Sequence, residues 1–193
     1  LLQTVKRASV FITDSDFTRL ELINYFNIPE NRVCTAKLAC SSEFRPRSEE
    51  DIISVLRKYK LVFKKYSLFT GSIEPRKNIA TLLDAYERLP LLLRKQTPLV
   101  ISGFKGWNSD ILHRRFEKGE REGWLHYLGF TPSSDLPALY AGAVSFLFPS
   151  IYEGFGLPVL EAMASGTPVV CSNNSSLPEV AGCSALMCDA MDV

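Results

Sequence analysis

The chain has 193 residues, 46% of them apolar, enough for a domain of ordinary size with a real core, and its formal net charge of +1 gives no broad field for nucleic acid. Five cysteines (Cys34, Cys40, Cys171, Cys183, Cys188) contain no C-x-x-C pair and only His113 and His126 are histidines, which argues against a disulfide framework or zinc site and for a reducing cytoplasm. No apolar run has the length of a membrane span, and the first residues do not read as a signal peptide.

Along the chain, a strand is predicted within residues 8–15, a helix over 17–26 and another strand over 32–39. Phe44-Arg45-Pro46 and an acidic helix start at Ser48-Glu49-Glu50-Asp51 follow. Short apolar runs then predict strands at 66–70, 99–102, 126–128, 144–148, 169–172 and 185–188. Helical patterns lie between them, as in Ile79, Leu82, Leu83 and Tyr86. This alternation predicts an α/β fold, a doubly wound, Rossmann-like parallel sheet. Ligands of such sheets sit beyond the carboxyl ends of the strands, where Gly71 and Pro149 fall.

The richest stretch runs from Pro149 to Pro168 and sets Glu153 and Glu161 eight positions apart. Gly154 and Gly156 permit backbone that other residues resist, Pro158 suits the first position of a helix and Gly166 its end. Free N–H groups then face the N-terminus of a helix, where the macrodipole favours a phosphate. Glu161, expected in the first turn, can accept from the vicinal hydroxyls of a ribose, and Glu153 from a second sugar beyond the diphosphate. An acid in a first turn also serves as dipole partner or capping-box member, and Leu157, Leu160, Met163 and Ala164 have core spacing.

A second constellation is Gly71-Ser72-Ile73-Glu74-Pro75-Arg76-Lys77-Asn78, where a strand ends at a glycine and a helix begins near Asn78, a favoured N-cap. Cations at a helix N-terminus oppose the dipole by a few tenths to about 1 kcal/mol. A diphosphate lying between Arg76, Lys77 and the helix would account for both, and solvated loop charges are the bland alternative. After the next two strands come Gly103-Phe104-Lys105-Gly106 and Gly129-Phe130-Thr131. Phe130 can stack on a base or sit in the core.

The run from Tyr152 to Pro168 resembles the signature of the retaining nucleotide-sugar glycosyltransferases of family 4, in which two glutamates are separated by seven residues. The resemblance includes residues 71–78, Leu128-Gly129-Phe130 and Ser175-Ser176-Leu177-Pro178-Glu179-Val180, and extends over almost the whole chain. It implies the C-terminal, donor-binding domain of a GT-B enzyme. Residues 1–46 are then the end of the N-terminal acceptor domain plus linker, and 47–193 a nucleotide-sugar-binding domain incomplete at its C-terminus. The implied reaction moves a hexose such as mannose or glucose from a nucleoside diphosphate to a glycan or lipid-linked acceptor, with retention and without an obligatory metal or other cofactor. Glu153, Arg76 and Lys77 are the implied catalytic residues. Glu161, Gly154, Phe155, Gly156, Leu157, Gly71, Ser72 and Phe130 are the implied donor-binding residues. Many relatives carry an arginine where this chain has Ser72, so Arg76 either substitutes for that cation or faces solvent. The implied partners are the nucleotide sugar, the saccharide or lipid-linked acceptor and the N-terminal domain, at the inner face of a membrane.

Two further patterns are weaker. Asp14-Ser15-Asp16 matches the metal-holding Asp-x-Asp of another glycosyltransferase class, but only thirteen residues precede it, and Asp16 reads as a turn or N-cap residue before the helix at Phe17. The basic stretch from Lys58 to Tyr66 fits either contact with an anionic membrane or a Lys-rich helix end leading into a strand. An epimerase on the same architecture and a non-catalytic nucleotide-binding module are the rival functions.

Overall fold

The computed structural model describes residues 2–106 and 110–193. The chain opens with helix α1 (Leu2–Arg7), strand β1 (Phe11–Thr13), helix α2 (Asp16–Phe26) and strand β2 (Val33–Thr35). β1 and β2 pair in parallel as a separate two-stranded sheet. Ser15, not Asp16, caps α2, its hydroxyl accepting from the N–H of Thr18 at 3.0 Å. After a linker comes α3 (Glu49–Lys58), started by a capping box in which Ser48 and Asp51 satisfy each other's backbone N–H groups.

The main body follows: β3 (Ser67–Thr70), α4 (Ile79–Arg88), α5 (Leu91–Gln96), β4 (Leu99–Ser102), α6 (Asp110–Glu122), β5 (Leu125–Gly129), α7 (Leu136–Gly142), β6 (Ser145–Phe148), α8 (Leu157–Ala164), β7 (Val169–Ser172), α9 (Leu177–Ala181) and β8 (Leu186–Cys188). The six strands pair in parallel in the order β5-β4-β3-β6-β7-β8. The direction of winding therefore reverses between β3 and β6. Right-handed crossovers then place α4–α6 on one face of the sheet and α7–α9 on the other. β3 and β4 are buried at every position, the pattern of strands covered on both faces.

One core runs through both layers, with Phe69, Phe146 and Phe148 stacked at ring separations of 5.6 to 6.0 Å and Trp124 fully buried. The periodic residues of α4, Ile79, Leu82, Leu83 and Tyr86, are all buried. The basic stretch after α3 is partly consumed by packing: Lys58 pairs with Asp135 at 2.6 Å and Lys64 donates to the carbonyl of Ala143 at 2.8 Å. No helix among the described residues is long and apolar enough to cross a membrane.

Candidate active site at the switch point of the sheet

Where the winding reverses, the loops leaving β3 and β6 lie side by side. The β3 loop leaves through Gly71 (φ +143), passes a 3₁₀ turn at Pro75–Lys77 and enters α4. The β6 loop turns at Pro149 and enters α8 through Gly156 (φ +101). The N–H of Ile151 donates to the carbonyl of Arg76 at 2.8 Å, joining the two. Asn78 adds a second stitch. It occupies the N-cap position of α4 but is left-handed (φ 55) and gives no side-chain cap; its amide donates instead to the carbonyls of Pro149 (3.1 Å) and Ala190 (2.6 Å).

Glu153, Lys77 and Arg76 meet between these loops. Lys77 Nζ lies 2.6 Å from Glu153 Oε1 and Arg76 Nη1 2.9 Å from Oε2. Lys77 is 6% exposed and Glu153 8%. The ammonium also sits over the ring of Phe148, 4.7 Å from its centroid. Burial lowers the Lys77 pKa, and the Glu153 carboxylate opposes that shift. This corrects the expectation drawn from the helix dipole: the countercharge to Arg76 and Lys77 is Glu153, and no ligand is needed to explain two cations there. Gly71 faces the lysine, for a Cβ at that position would lie 3.5 Å from Lys77 Cε. The Glu74 carboxylate pairs with Arg76 at 3.2 Å, and Ser72 and Arg76 lower its pKa.

The Glu153–Phe155 backbone is held from both sides. Ser175 Oγ accepts from the N–H of Glu153 at 2.9 Å, and Ser176 Oγ lies 3.0 Å and 2.8 Å from the carbonyls of Glu153 and Phe155. The N–H groups of Phe155, Gly156 and Leu157 have no partner among the described residues and open toward the start of α8, an arrangement suited to an anion. Of the two glycines in this turn only Gly156 has positive φ, so Gly154 needs no glycine-specific conformation.

Glu161 is not in the first turn of α8. The helix starts at Leu157, which makes Glu161 its fifth residue and removes both the capping-box and the first-turn dipole explanations. Its carboxylate is near enough to the buried hydroxyl of Tyr140 for that group to lower its pKa, and the hydroxyl lies 2.5 Å from Thr70 Oγ1 at the end of β3. It also lines a cleft of about 530 Å³ with Ser41, Phe44, Ser133, Ser134 and Pro137. Burial raises the Glu161 pKa above the ordinary 4.5, against the pull of the Tyr140 hydrogen bond. A raised folded-state value means that this group contributes stability in its protonated form, fully present below 4.5 and lost as pH rises through the folded value. The ionised carboxylate therefore bears a desolvation cost that a hydrogen-bond donor from a ligand would offset. Affinity for a nucleoside diphosphate is expected to fall as pH drops through a window beginning above 4.5, and Glu161→Gln to remove that dependence; calorimetry across pH measures it.

Phe130 is 74% exposed beyond β5, which rules out the core-aromatic alternative. An apolar cavity of about 490 Å³ lined by Leu82, Tyr86, Leu147 and Val170 lies over one face of the sheet. Asp189 and Asp192 also line it, and no cation among the described residues does, in contrast to the paired charges at the switch point. Sequence reasoning missed Tyr140 and the roles of Ser175 and Ser176; the 175–180 motif flagged the serines, and nothing local flagged the tyrosine.

A parallel sheet of this order, flanked by helices and carrying its charged site at the switch point, is the architecture of a GT-B C-terminal domain. The chain superposes on Anabaena HepE in complex with UDP and glucose with a TM-score of 0.82 at 20% identity, covering 96% of this chain and 50% of that one. A glycosyltransferase from Rickettsia africae gives 0.83 at 16% identity, covering 98% and 53%. The family model for glycosyl transferases group 1 matches residues 53–184, and the chain belongs to that family. It is 52% identical over 193 residues to the O-antigen chain mannosyltransferase B of Escherichia coli, covering 100% of this chain and 51% of that protein. It is 37% identical over 198 residues to the serotype-specific mannosyltransferase WbdA of Escherichia coli, covering 24% of that protein. The chain thus spans about half or less of the length of these relatives.

Proposed function

We propose that this chain is the donor-binding part of a retaining family 4 glycosyltransferase that transfers mannose from a nucleoside diphosphate to a glycan or lipid-linked acceptor. The observation that carries this reading is the buried Glu153–Lys77–Arg76 cluster beside the unpartnered amides at the start of α8. A diphosphate entering there exchanges its own charge for that of Glu153 on the two cations. The glutamate is then released toward the hydroxyls of the donor sugar. Lys77, Arg76 and the α8 amides stabilise charge growing on the departing diphosphate, which accelerates transfer to the extent that they bind the transition state more tightly than the donor. Glu161 accepts from the ribose hydroxyls, and exposed Phe130 offers its face to the base.

Mannose is favoured by the names of the two Escherichia coli relatives. In this reading residues 1–46 belong to the acceptor half and linker, residues 47–193 to the donor half, the reaction needs no metal, and the enzyme works at the cytoplasmic face of a membrane. The test is a transfer assay of the full-length protein with UDP-, GDP- and ADP-linked mannose and glucose. The expected result is turnover with one mannose donor and a product retaining the anomeric configuration of the donor. Turnover with no donor, or an inverted product, contradicts the proposal.

A further inference from the structure

The amino end of α2 rests on the loop that carries Glu153, although the two are more than a hundred residues apart in sequence. Ser15 Oγ lies 2.6 Å and Thr18 Oγ1 3.0 Å from the carbonyl of Gly154, the residue next to Glu153. What keeps α2 there is a carboxylate from the main body. Glu179, in α9, accepts from the N–H of Asp16 at 2.9 and 3.1 Å and from the N–H of Phe17 at 3.2 Å, and pairs with Lys37 at 2.9 Å. Two otherwise orphaned helix amides and the positive end of the dipole thus find their partner across the junction of the two sheets. Tyr152, one residue before Glu153, adds an edge-on ring contact to Phe17 at 5.8 Å and a hydrogen bond to Glu21.

We propose that Glu179 is a positioning residue for the reaction: by capping α2 it holds Ser15 and Thr18 on the Gly154 carbonyl and so fixes Glu153 in its working orientation. The loop is then gripped by Ser175 and Ser176 from the main body and by Ser15 and Thr18 from the N-terminal segment. Glu153 is set only when both grips are closed, and docking of the N-terminal segment is sensed at the candidate catalytic carboxylate. This rests on the reading of Glu153 as the group that orients the donor sugar. The phosphate contacts at Lys77 and at the N–H groups of Gly156 and Leu157 do not touch α2; only the Phe155 N–H shares a peptide unit with the Gly154 carbonyl that the clasp holds.

The experiment is steady-state transfer by the full-length protein, with binding of the sugar-free nucleoside diphosphate measured in parallel, for Glu179→Ala, Glu179→Gln and Thr18→Val. The expected result is a fall in kcat of about 10- to 100-fold for Glu179→Ala, the scale of a misplaced catalytic group. Diphosphate affinity falls far less than kcat, because Lys77 and the N–H groups of Gly156 and Leu157 lie outside the clasp. Glu179→Gln, whose amide oxygen still accepts from α2, restores part of kcat, and Thr18→Val lowers kcat without lowering the melting temperature. An active unaltered protein whose Glu179→Ala and Thr18→Val variants keep full kcat overturns the clasp, as does loss of kcat in strict proportion to diphosphate affinity. Should Glu179→Ala fail to fold, Thr18→Val alone decides. An unaltered protein that turns over no donor overturns the underlying reading instead.

Discussion

Lys77→Met is expected to abolish transfer almost completely and to weaken the fold at the same time. The methionine fills much of the same space against Phe148 but leaves Glu153, 8% exposed, with Arg76 as its cation, and the Arg76 side chain is itself 45% exposed. Breaking one side of a buried pair costs about 3–5 kcal/mol, and the surviving arginine should hold the loss near the lower end. Glu153→Gln is the complementary lesion: it strips the ammonium of the group that counters its desolvation, so the Lys77 pKa falls further. Because the partners share one interaction, the double variant should recover about 1–3 kcal/mol relative to the sum of the single changes. Urea denaturation of the four proteins measures this coupling. Activity should not recover with it: removal of the buried cation is expected to cost about 100-fold or more in kcat, as loss of a preorganised charge-stabilising group does. Additive stabilities, or a Lys77→Met protein with near-normal kcat, would contradict the geometry described for the cluster.

Gly103→Ala is expected to be equally damaging for a different reason. A Cβ at position 103 would stand 1.8 Å from the carbonyl oxygen of Gly71 and 2.7 Å from its carbon, and both are backbone atoms with no rotamer to escape into. The Gly71 N–H donates to Ser102 O (2.9 Å), tying β3 to β4, and the Gly103 N–H donates to Gly129 O (2.8 Å), tying the β4 loop to the end of β5. Relief of the clash must therefore push the ends of β3 and β4 apart and move Gly71 away from Lys77. The stability loss should be about 3 kcal/mol or more, at the upper end of overpacking costs. Binding of a nucleoside diphosphate should be lost with it. Gly129→Ala is the control: its φ of +64 strains an alanine, but nothing lies within 4 Å of the new methyl, and a loss of about 1–2 kcal/mol is expected. Denaturation midpoints that rank the two variants the other way would mean that the β3 and β4 loops are not packed as described.

Much of the main sheet was legible in the residues. Each strand is a short apolar run closed by a glycine, proline or polar residue, and the predicted spans differ from the observed ones by no more than one residue at any end. The N-terminal pair was legible in kind and only partly in length: the first strand was expected within residues 8–15 and the second over 32–39, yet β1 and β2 hold three residues each, because a strand ends where its pairing partner ends and each has only the other. Glu161 was placed one position too early in the helix, since Pro158 was taken as the first helical residue and Leu157 opens it. The choice of Glu153 and Lys77 followed from local signals, loop glycines and charges beside a helix start. Their direct pairing did not, because partners 76 positions apart leave no periodic trace in sequence. The same holds for Ser15 and Thr18 on Gly154, and for the Tyr140 hydroxyl near Glu161.

The central claim is that one crevice at the switch point binds a nucleoside diphosphate through Glu161 on the ribose and Lys77 on the phosphates. Titration calorimetry of UDP, GDP and ADP into the protein and into its Glu161→Gln and Lys77→Met variants tests it most directly. One diphosphate should bind at a single site, with a loss of about 1–3 kcal/mol in each variant, as for removal of a charged hydrogen bond. The nucleoside alone should feel the loss of Glu161 but not of Lys77. Undiminished diphosphate affinity in both variants, or no binding of any of the three, would contradict the account.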